Sequence, residues 1–409
     1  MTSLARHQDA TNTTRTYGWV ERAFHWSIAL LIPTAIVLGV VAYDMPFDTD
    51  AALARKAMLF SAHKTVGIAI FFIALARILW ALSQPRPVPL HPDRRLETTL
   101  AALVHWLLYG SLLLVPLLGW AHHATAEGFA PIWWPFGQGL PFLPKDPELS
   151  AQLATLHMVF ERVMVIALAL HILGAIKHAV IDKDATLGRM WRGTVPDTIG
   201  DDTTSKALPV AVAAAVWAVA LGVGLALGPK AGQVAASVPA EAATVDGASN
   251  WVVEDGTLSI SVTQLGSAVT GTFGDWQAAI DFDAAERNDG TYGTVEVGVS
   301  TGSLTLGSVS QQATGPEFLA ASSFPQADFS AIIRAEGDGY VADGSLDLRG
   351  VTVPLILPFQ LQIDGNLATM TGQVALDRRD FGMGQTYPDE SSVGFTVTVD
   401  VALTARRDG

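Results

Sequence analysis

The sequence predicts a two-part membrane protein: an all-α transmembrane bundle with one additional span, followed by an all-β antiparallel domain. Three observations carry this. The 409-residue chain has only 16% charged residues and a mean hydropathy of +0.34, which is unusual for a soluble chain of this size. Five apolar stretches fall before residue 229, and from Asn250 onward the pattern changes to period two. The charge is also split. Residues 1–196 carry 16 Lys/Arg against 13 Asp/Glu, a net of +3, whereas residues 197–409 carry 9 against 26, a net of −17.

The first four apolar stretches lie at about 25–43, 62–82, 100–120 and 157–180, each long enough to cross roughly 30 Å of hydrocarbon as a helix. They carry His, Arg and Trp. The fifth, Ala207–Gly228, is almost free of polar groups and reads as an anchor or tether, with 229–248 as a linker. The N-terminus does not read as a signal peptide, because its polar lead-in is too long and no small-residue cleavage site follows the first apolar run. One set of loops holds eleven Lys/Arg (Arg6, Arg15, Arg22, Arg86, Arg94, Arg95, Lys177, Lys183, Arg189, Arg192 and Lys206). The other set holds three, Arg55, Lys56 and Lys145. The positive-inside rule then puts the N-terminus in the cytoplasm and everything after Gly228 outside, in the periplasm of a Gram-negative cell.

After Asn250 the segments TLSISV, AAIDFD, GTVEVGV, SLTLGSV, ADFSAII, GSLDLRG, TMTGQVAL and GFTVTVDVAL alternate apolar and polar residues, separated by Gly, Asp and Asn. Eight or so short strands suggest an antiparallel barrel or sandwich. The acidic half argues against nucleic acid as a partner.

All ten histidines lie in the first part. The absence of cysteine excludes disulfides, thiolate metal sites, Fe–S clusters and covalently attached haem. A histidine in a membrane helix is costly and usually functional. His25 lies at the inner end of the first stretch and His63 at the outer start of the second. His157 and His171 share the fourth. Their spacing of two heptads puts both on nearly one helix face, about 40° apart and with a rise of roughly 21 Å. That fits two porphyrins stacked across a bilayer, with His63/His157 in the outer layer and His25/His171 in the inner one. Bis-imidazole ligation suits electron transfer rather than oxygen binding. A lone membrane histidine is as readily a packed core residue. A di-metal or proton-relay site is the rival for all four, but it would want carboxylates, and the apolar runs hold almost none besides Glu161.

Other residues fit the same layers. Gly39, Gly67 and Gly174 would let a flat macrocycle approach the backbone. Arg77, two heptads after His63, should face the inner layer and a haem propionate. Lys64 and Arg162 could serve the outer one or attract an anion. His105 reads as an inner-layer residue beside the ligands, or as a substitute for one. His178 is placed near a propionate, His122 and His123 in water at a helix end, and His7 and His91 in solvated loops. Trp120, Trp133 and Trp134 read as an interfacial belt.

RAFHW, AHKTVG, LVHWLLYGSLLLVPLLGW and LHILGAIKHAVIDKDATLGRMW, over about 15–195, resemble the bacterial cytochrome b561 family. The resemblance implies a four-helix bundle in the inner membrane with two haem b groups, ligated at His25, His63, His157 and His171. It also implies electron exchange with a quinone such as ubiquinone; one branch of the family is a superoxide:ubiquinone oxidoreductase.

VTQLGSAVTGTFGDWQAAIDFD, GPEFLAASSFPQADFSA, DGSLDLRGVTVPLILPF and VALDRRDFGMG, over about 249–405, resemble the YceI-like domain. This resemblance implies a lipocalin-like barrel whose interior binds isoprenoid chains, with Phe273, Trp276, Phe282, Phe329 and Phe359 as pocket candidates; the same side chains could simply fill a core. The organisation expected is 1–196 bundle, 197–248 fifth span and linker, 249–409 barrel. The expected role is electron transfer between a periplasmic donor and membrane ubiquinone, with membrane lipid, quinone and an isoprenoid as partners. The alternatives are a cytochrome subunit of a larger dehydrogenase complex, and a membrane-tethered lipid-binding protein with structural haem.

Overall fold

The computed structural model describes residues 6, 8–126, 130–197, 207–229 and 242–407. The chain divides into two compact units: Met1–Asp44 with Leu59–Thr125 and Pro131–Pro229, and Met45–Met58 with Ala126–Ala130 and Lys230–Gly409.

The first unit is built on helices α1 (Trp19–Asp44), α2 (Asp50–Leu82), α3 (Arg95–Thr125) and α4 (Pro147–Ile176). A short α5 (Thr186–Trp191) and the apolar α6 (Ala207–Leu227) follow. Among the described residues, five helices are long and apolar enough to cross a membrane. The chain is a multi-pass membrane protein. Each of the first four helices begins several residues before its apolar stretch. α2, at 33 residues, is about 50 Å long and outruns the hydrocarbon. His63 therefore lies well inside α2 and not at its start, which corrects the sequence expectation.

Local signals set the α4 ends. Asp146 caps it, its carboxylate accepting from the Glu148 and Leu149 N–H groups, and Pro147 takes the first turn, where a missing N–H costs nothing. Its far end widens into a π-turn, Lys177–Asp182, closed by Lys183 at positive φ. Nothing in the composition marks that turn; π-turns often occur at functional sites.

Ile28, Ile32, Ile70, Leu112, Val115 and Phe160 meet in one core cluster. α6 joins it rather than hanging free as a tether. Ala213, Ala220 and Gly224 are buried, Trp217 stacks on Phe160 with ring centroids 5.0 Å apart, and Gln152 Nε2 donates to the Gly224 carbonyl at 2.9 Å. Small side chains on α6 let its backbone approach α4 closely, as membrane helices require in the absence of a hydrophobic drive.

The second unit holds an antiparallel barrel. Its strands are β1 (Trp251–Gln264), β2 (Ser267–Phe273), β3 (Trp276–Phe282), β4 (Gly293–Ser300), β5 (Leu304–Thr305), β6 (Gln326–Glu336), β7 (Gly339–Leu348), β8 (Val351–Asp364), β9 (Leu367–Asp377) and β10 (Val393–Arg407). Eight of them close the ring in the order β1-β10-β9-β8-β7-β6-β4-β3, with β1 returning to β3 at Trp251–Ile280. β2 and β5 extend from the other end of β1. Closure removes the edges that would template aggregation.

Two details depart from the sequence reading. SLTLGSV is not a strand: it contributes only β5 between short 3-10 turns, because Gly307 adopts φ +53° and breaks the pairing. VTVPLILPFQLQID forms a full strand, β8, despite Pro354 and Pro358. β9 pairs only with Phe359–Asp364, so both prolines sit where no second neighbour needs their missing N–H. A short helix α7 (Ser310–Thr314) and a 3-10 turn at Arg378–Phe381 complete the unit.

Candidate functional site: two layers of facing imidazoles

His63 on α2 and His157 on α4 face each other with ring centroids 6.4 Å apart. Each ring is fixed in the same way. His63 Nδ1 lies 2.8 Å from the Ala35 carbonyl oxygen and His157 Nδ1 lies 2.9 Å from that of Val115. A carbonyl only accepts, so each Nδ1 carries the proton and each Nε2 keeps a free lone pair for a metal. One turn beyond each carbonyl stands a glycine. A Cβ at Gly39 would lie 2.9 Å from the His63 ring, and one at Gly119 3.0 Å from the His157 ring. The two glycines are the seats of the imidazoles.

His25 on α1 and His171 on α4 form the second layer, centroids 6.1 Å apart. His25 Nδ1 is buried without a partner among the described residues. Among the described residues, His25 thus lacks the carbonyl anchor that each outer imidazole has.

Two metal–imidazole bonds of about 2 Å, plus the ring radii, span a little over 6 Å. Both pairs match that span, and both consist of neutral nitrogen donors suited to haem iron. A Cβ at Gly67 or at Gly174 would meet nothing within 4 Å, so space is open beside His63 and His171. The residues present fit a bis-imidazole haem in each layer.

The contact of Gly39 with an imidazole was not foreseen in the sequence reading, which placed a macrocycle edge there. Arg77 Nε donates to Glu21 Oε1 at 3.0 Å, a partner the sequence reading did not foresee, and its guanidinium lies 5.4 Å from the Tyr109 ring centroid. Gly119 was missed, although its spacing from Val115 repeats that of Gly39 from Ala35.

The structure brings His105 to the inner pair, its ring 5.1 Å from that of His171 and its Nδ1 2.6 Å from the Ala101 carbonyl oxygen. His122 and His123 are half-buried rather than solvated, and His122 Nδ1 lies 2.8 Å from the Ser150 carbonyl oxygen. His91, expected in a solvated loop, stacks on His178 with an interplanar angle of 1°. Both reach Asp184 Oδ2, His91 at 3.0 Å and His178 at 2.7 Å. Burial opposes ionisation of Asp184, but hydrogen bonds from Thr186 and His178 outweigh it and bring its pKa to about 2. Glu97, His178 and Asp182 cluster with metal-like spacing, yet Lys177 and Arg94 already neutralise both carboxylates. Lys64 is buried, with Nζ 3.4 Å from Gln138 Oε1, whereas the Arg162 side chain is 70% exposed beside Glu161. Trp120 and Trp134 pack edge to face and Trp133 is exposed. His7 and Lys206 lie outside the described residues.

The barrel encloses an apolar cavity of about 300 Å³. Phe273, Trp276, Phe282, Phe329 and Phe359 all line it. The polar side chains on its wall are Gln264, Gln312 and Arg378.

The family model for prokaryotic cytochrome b561 matches residues 16–193, and that for the YceI-like domain matches 250–405. Cytochrome b561 homolog 2 of Escherichia coli K12 is 32% identical over 186 residues, covering 44% of this chain and 93% of that protein. The probable superoxide oxidase CybB of Yersinia pestis is 26% identical over 176 residues, covering 42% and 94%. The crystal structure of Burkholderia cenocepacia BcnA aligns with 36% of this chain and 95% of its own, at 25% identity and a TM-score of 0.34.

Proposed function

Because the chain belongs to the prokaryotic cytochrome b561 family and carries a YceI-like domain, we propose that it is a di-haem membrane electron carrier joined to an isoprenoid-binding barrel. The family implies haem b. His25 and His171 would hold one haem near the cytoplasmic surface, and His63 and His157 the other near the periplasmic surface of the bacterial inner membrane. Haem b, when bound there, supplies reversible one-electron transfer.

The chain's own residues set the conditions. The Ala35 and Val115 carbonyls fix the protonated nitrogen of each outer imidazole. Two histidines holding each iron would leave oxygen no place to bind. The observation that carries this reading is the pair of facing imidazoles, each anchored at Nδ1 on a carbonyl and seated on a glycine.

The overall reaction follows the relative named a probable superoxide oxidase. Two superoxide ions each lose one electron at the periplasmic side. Ubiquinone gains both electrons, takes two protons and becomes ubiquinol. Lys56, Lys64 and Arg162 are the cations that could attract superoxide on the outer side. Residues 246–409 carry 7 Lys/Arg against 22 Asp/Glu, a net of −15, so superoxide would not enter through the barrel. The barrel would instead hold a quinone-like isoprenoid.

The test is a haem count with a reduced-minus-oxidised spectrum on purified protein, with His63→Ala and His171→Ala alongside. Two b haems per chain, one lost in each variant from a different layer, are expected. No haem, or one indifferent to both changes, would leave a membrane-tethered lipid-binding barrel.

A further inference from the structure

The sequence marks α6 as an anchor, and the family match at residues 16–193 ends before it. Its packing is more specific than an anchor needs. Ala213, Ala220 and Gly224 form a buried stripe with Trp217 among them. Val219 and Leu225, on other faces of the same helix, are 65% and 54% exposed.

Two notches fit this stripe to its neighbours. A Cβ at Gly110 of α3 would lie 2.7 Å from Trp217 Nε1, so the indole fills the space that Gly110 leaves. The same indole stacks on Phe160 of α4 with ring planes 23° apart. A Cβ at Gly224 would lie 2.5 Å from Leu156 Cδ2, which brings the α6 backbone hard against α4. Trp217 is thus a rigid wedge that touches α3 and α4 at once.

The wedge stands one residue from the outer imidazole layer. Leu114 and Leu118 of α3 and Leu156 and Phe160 of α4 line the seam with Trp217. Val115, whose carbonyl holds His157 Nδ1 at 2.9 Å, follows Leu114. Gly119, the seat of that ring, follows Leu118, and His157 itself follows Leu156. Successive residues of a helix lie about 100° apart, so the seam and the ligand layer are adjacent faces of the same two helices. Phe160 is also a surface neighbour of His157, three residues on. The bond from His157 to Val115 crosses from α4 to α3, the two helices that Trp217 spaces. Neither His25 nor His171, nor any residue beside them in sequence, lines the seam.

We propose that Trp217 is a positioning residue for the outer haem: by fixing the spacing of α3 and α4 it keeps His157 Nδ1 on the Val115 carbonyl. This rests on the di-haem reading and gives the fifth span a part in it. An imidazole that donates its Nδ1 proton to a carbonyl is a more basic ligand for iron, and a more basic ligand favours the ferric state. Loosening the bond therefore raises the midpoint potential of the outer haem and leaves the inner one where it was.

The test is a redox titration of purified full-length protein, followed at the haem absorbance, with the outer haem identified as the one absent from His63→Ala. Trp217→Ala is expected to raise the outer midpoint and not the inner one. Gly110→Ala, which sets a methyl group against the indole, should move the same midpoint in the same direction, and it is the variant to read if Trp217→Ala does not hold the outer haem. Trp217→Phe keeps a ring on Phe160 and should bring the outer midpoint back towards the wild-type value. Val219→Ala and Leu225→Ala, on exposed faces of α6, should move neither midpoint. Equal shifts of both midpoints, or no shift in Trp217→Ala and Gly110→Ala, would overturn the assignment and leave α6 an anchor. Fewer than two haems in the wild type would overturn the di-haem reading itself.

Discussion

Arg77 on α2 donates its Nε to Glu21 Oε1 on α1 at 3.0 Å, and the two side chains are 10% and 4% exposed. Glu21 Oε2 has no partner among the described residues. Ion pairs this dry gain little over a hydrophobic replacement, yet breaking one strands a charge and costs about 3–5 kcal/mol. Glu21→Leu and Arg77→Met are each expected to lose stability on that scale. The double variant should lose less than either single one, a coupling that denaturant titration of all four proteins would measure. Additive losses would show that the two side chains act independently.

Gly39 and Gly119 have no room for a methyl group. A Cβ at either would press on the ring of His63 or His157 at about 3 Å. The neighbour in each case is an imidazole already bound to a carbonyl, so it can retreat only by giving up that bond. Gly39→Ala and Gly119→Ala are each expected to lose the outer b haem and keep the inner one, halving the haem-to-protein ratio. Gly67→Ala, whose Cβ meets nothing within 4 Å, is the control for helix propensity alone. Full haem content in both tight variants would show that the glycines do not seat the ligands.

The two-part architecture was legible in the sequence because it rests on patterns that survive any packing: five apolar lengths, then a period of two. That His157 and His171 share nearly one face of α4 was legible from their spacing, since two heptads almost return a side chain to its face, and the membrane side at which His25 and His63 lie suggested which of them each would face. What each histidine's other nitrogen binds was not, because a backbone carbonyl leaves no mark in a sequence. Arg77 was read as facing a propionate because Glu21 sits 56 positions away and only the packing of α1 on α2 brings it near. The His91–Asp184–His178 cluster was missed for a related reason. It depends on the π-turn at Lys177–Asp182, a one-residue change of helical register with no compositional signature. In the barrel, Gln264 was not singled out, although it continues the apolar column Leu258, Ile260 and Val262 of β1 that turns inward.

Asp184 gives a pH signature outside the membrane spans. Its pKa in the folded protein is about 2, below the usual value of 3.8. A carboxylate lowered in this way stabilises the fold above the unfolded value, and the contribution is lost as pH falls from about 4 through 2. The stability difference between wild type and Asp184→Asn should therefore be full at pH 7 and shrink as pH drops towards 2. Denaturant titrations of both proteins across that range would check it. A difference that stays constant down to pH 2 would mean that the charge of Asp184 contributes nothing.

Arg378 should be the residue on which the barrel depends most, because it stands in for missing strand partners. It is 2% exposed and satisfies five carbonyl oxygens in the turn after β9 and at the start of β10. Its guanidinium also lies 5.0 Å from the Phe395 ring centroid. Lysine carries three donors on one atom and cannot span acceptors set around a planar fork. Arg378→Lys must lose at least two of these five hydrogen bonds in a dry site, at about 1–3 kcal/mol each. Arg378→Met loses all five, and its loss should be larger still. Melting followed by the β-sheet circular dichroism signal should therefore rank wild type, lysine and methionine in that order, with the haem spectrum of the bundle unchanged in all three. Equal melting of the lysine variant and the wild type would show that water, and not Arg378, satisfies those carbonyls.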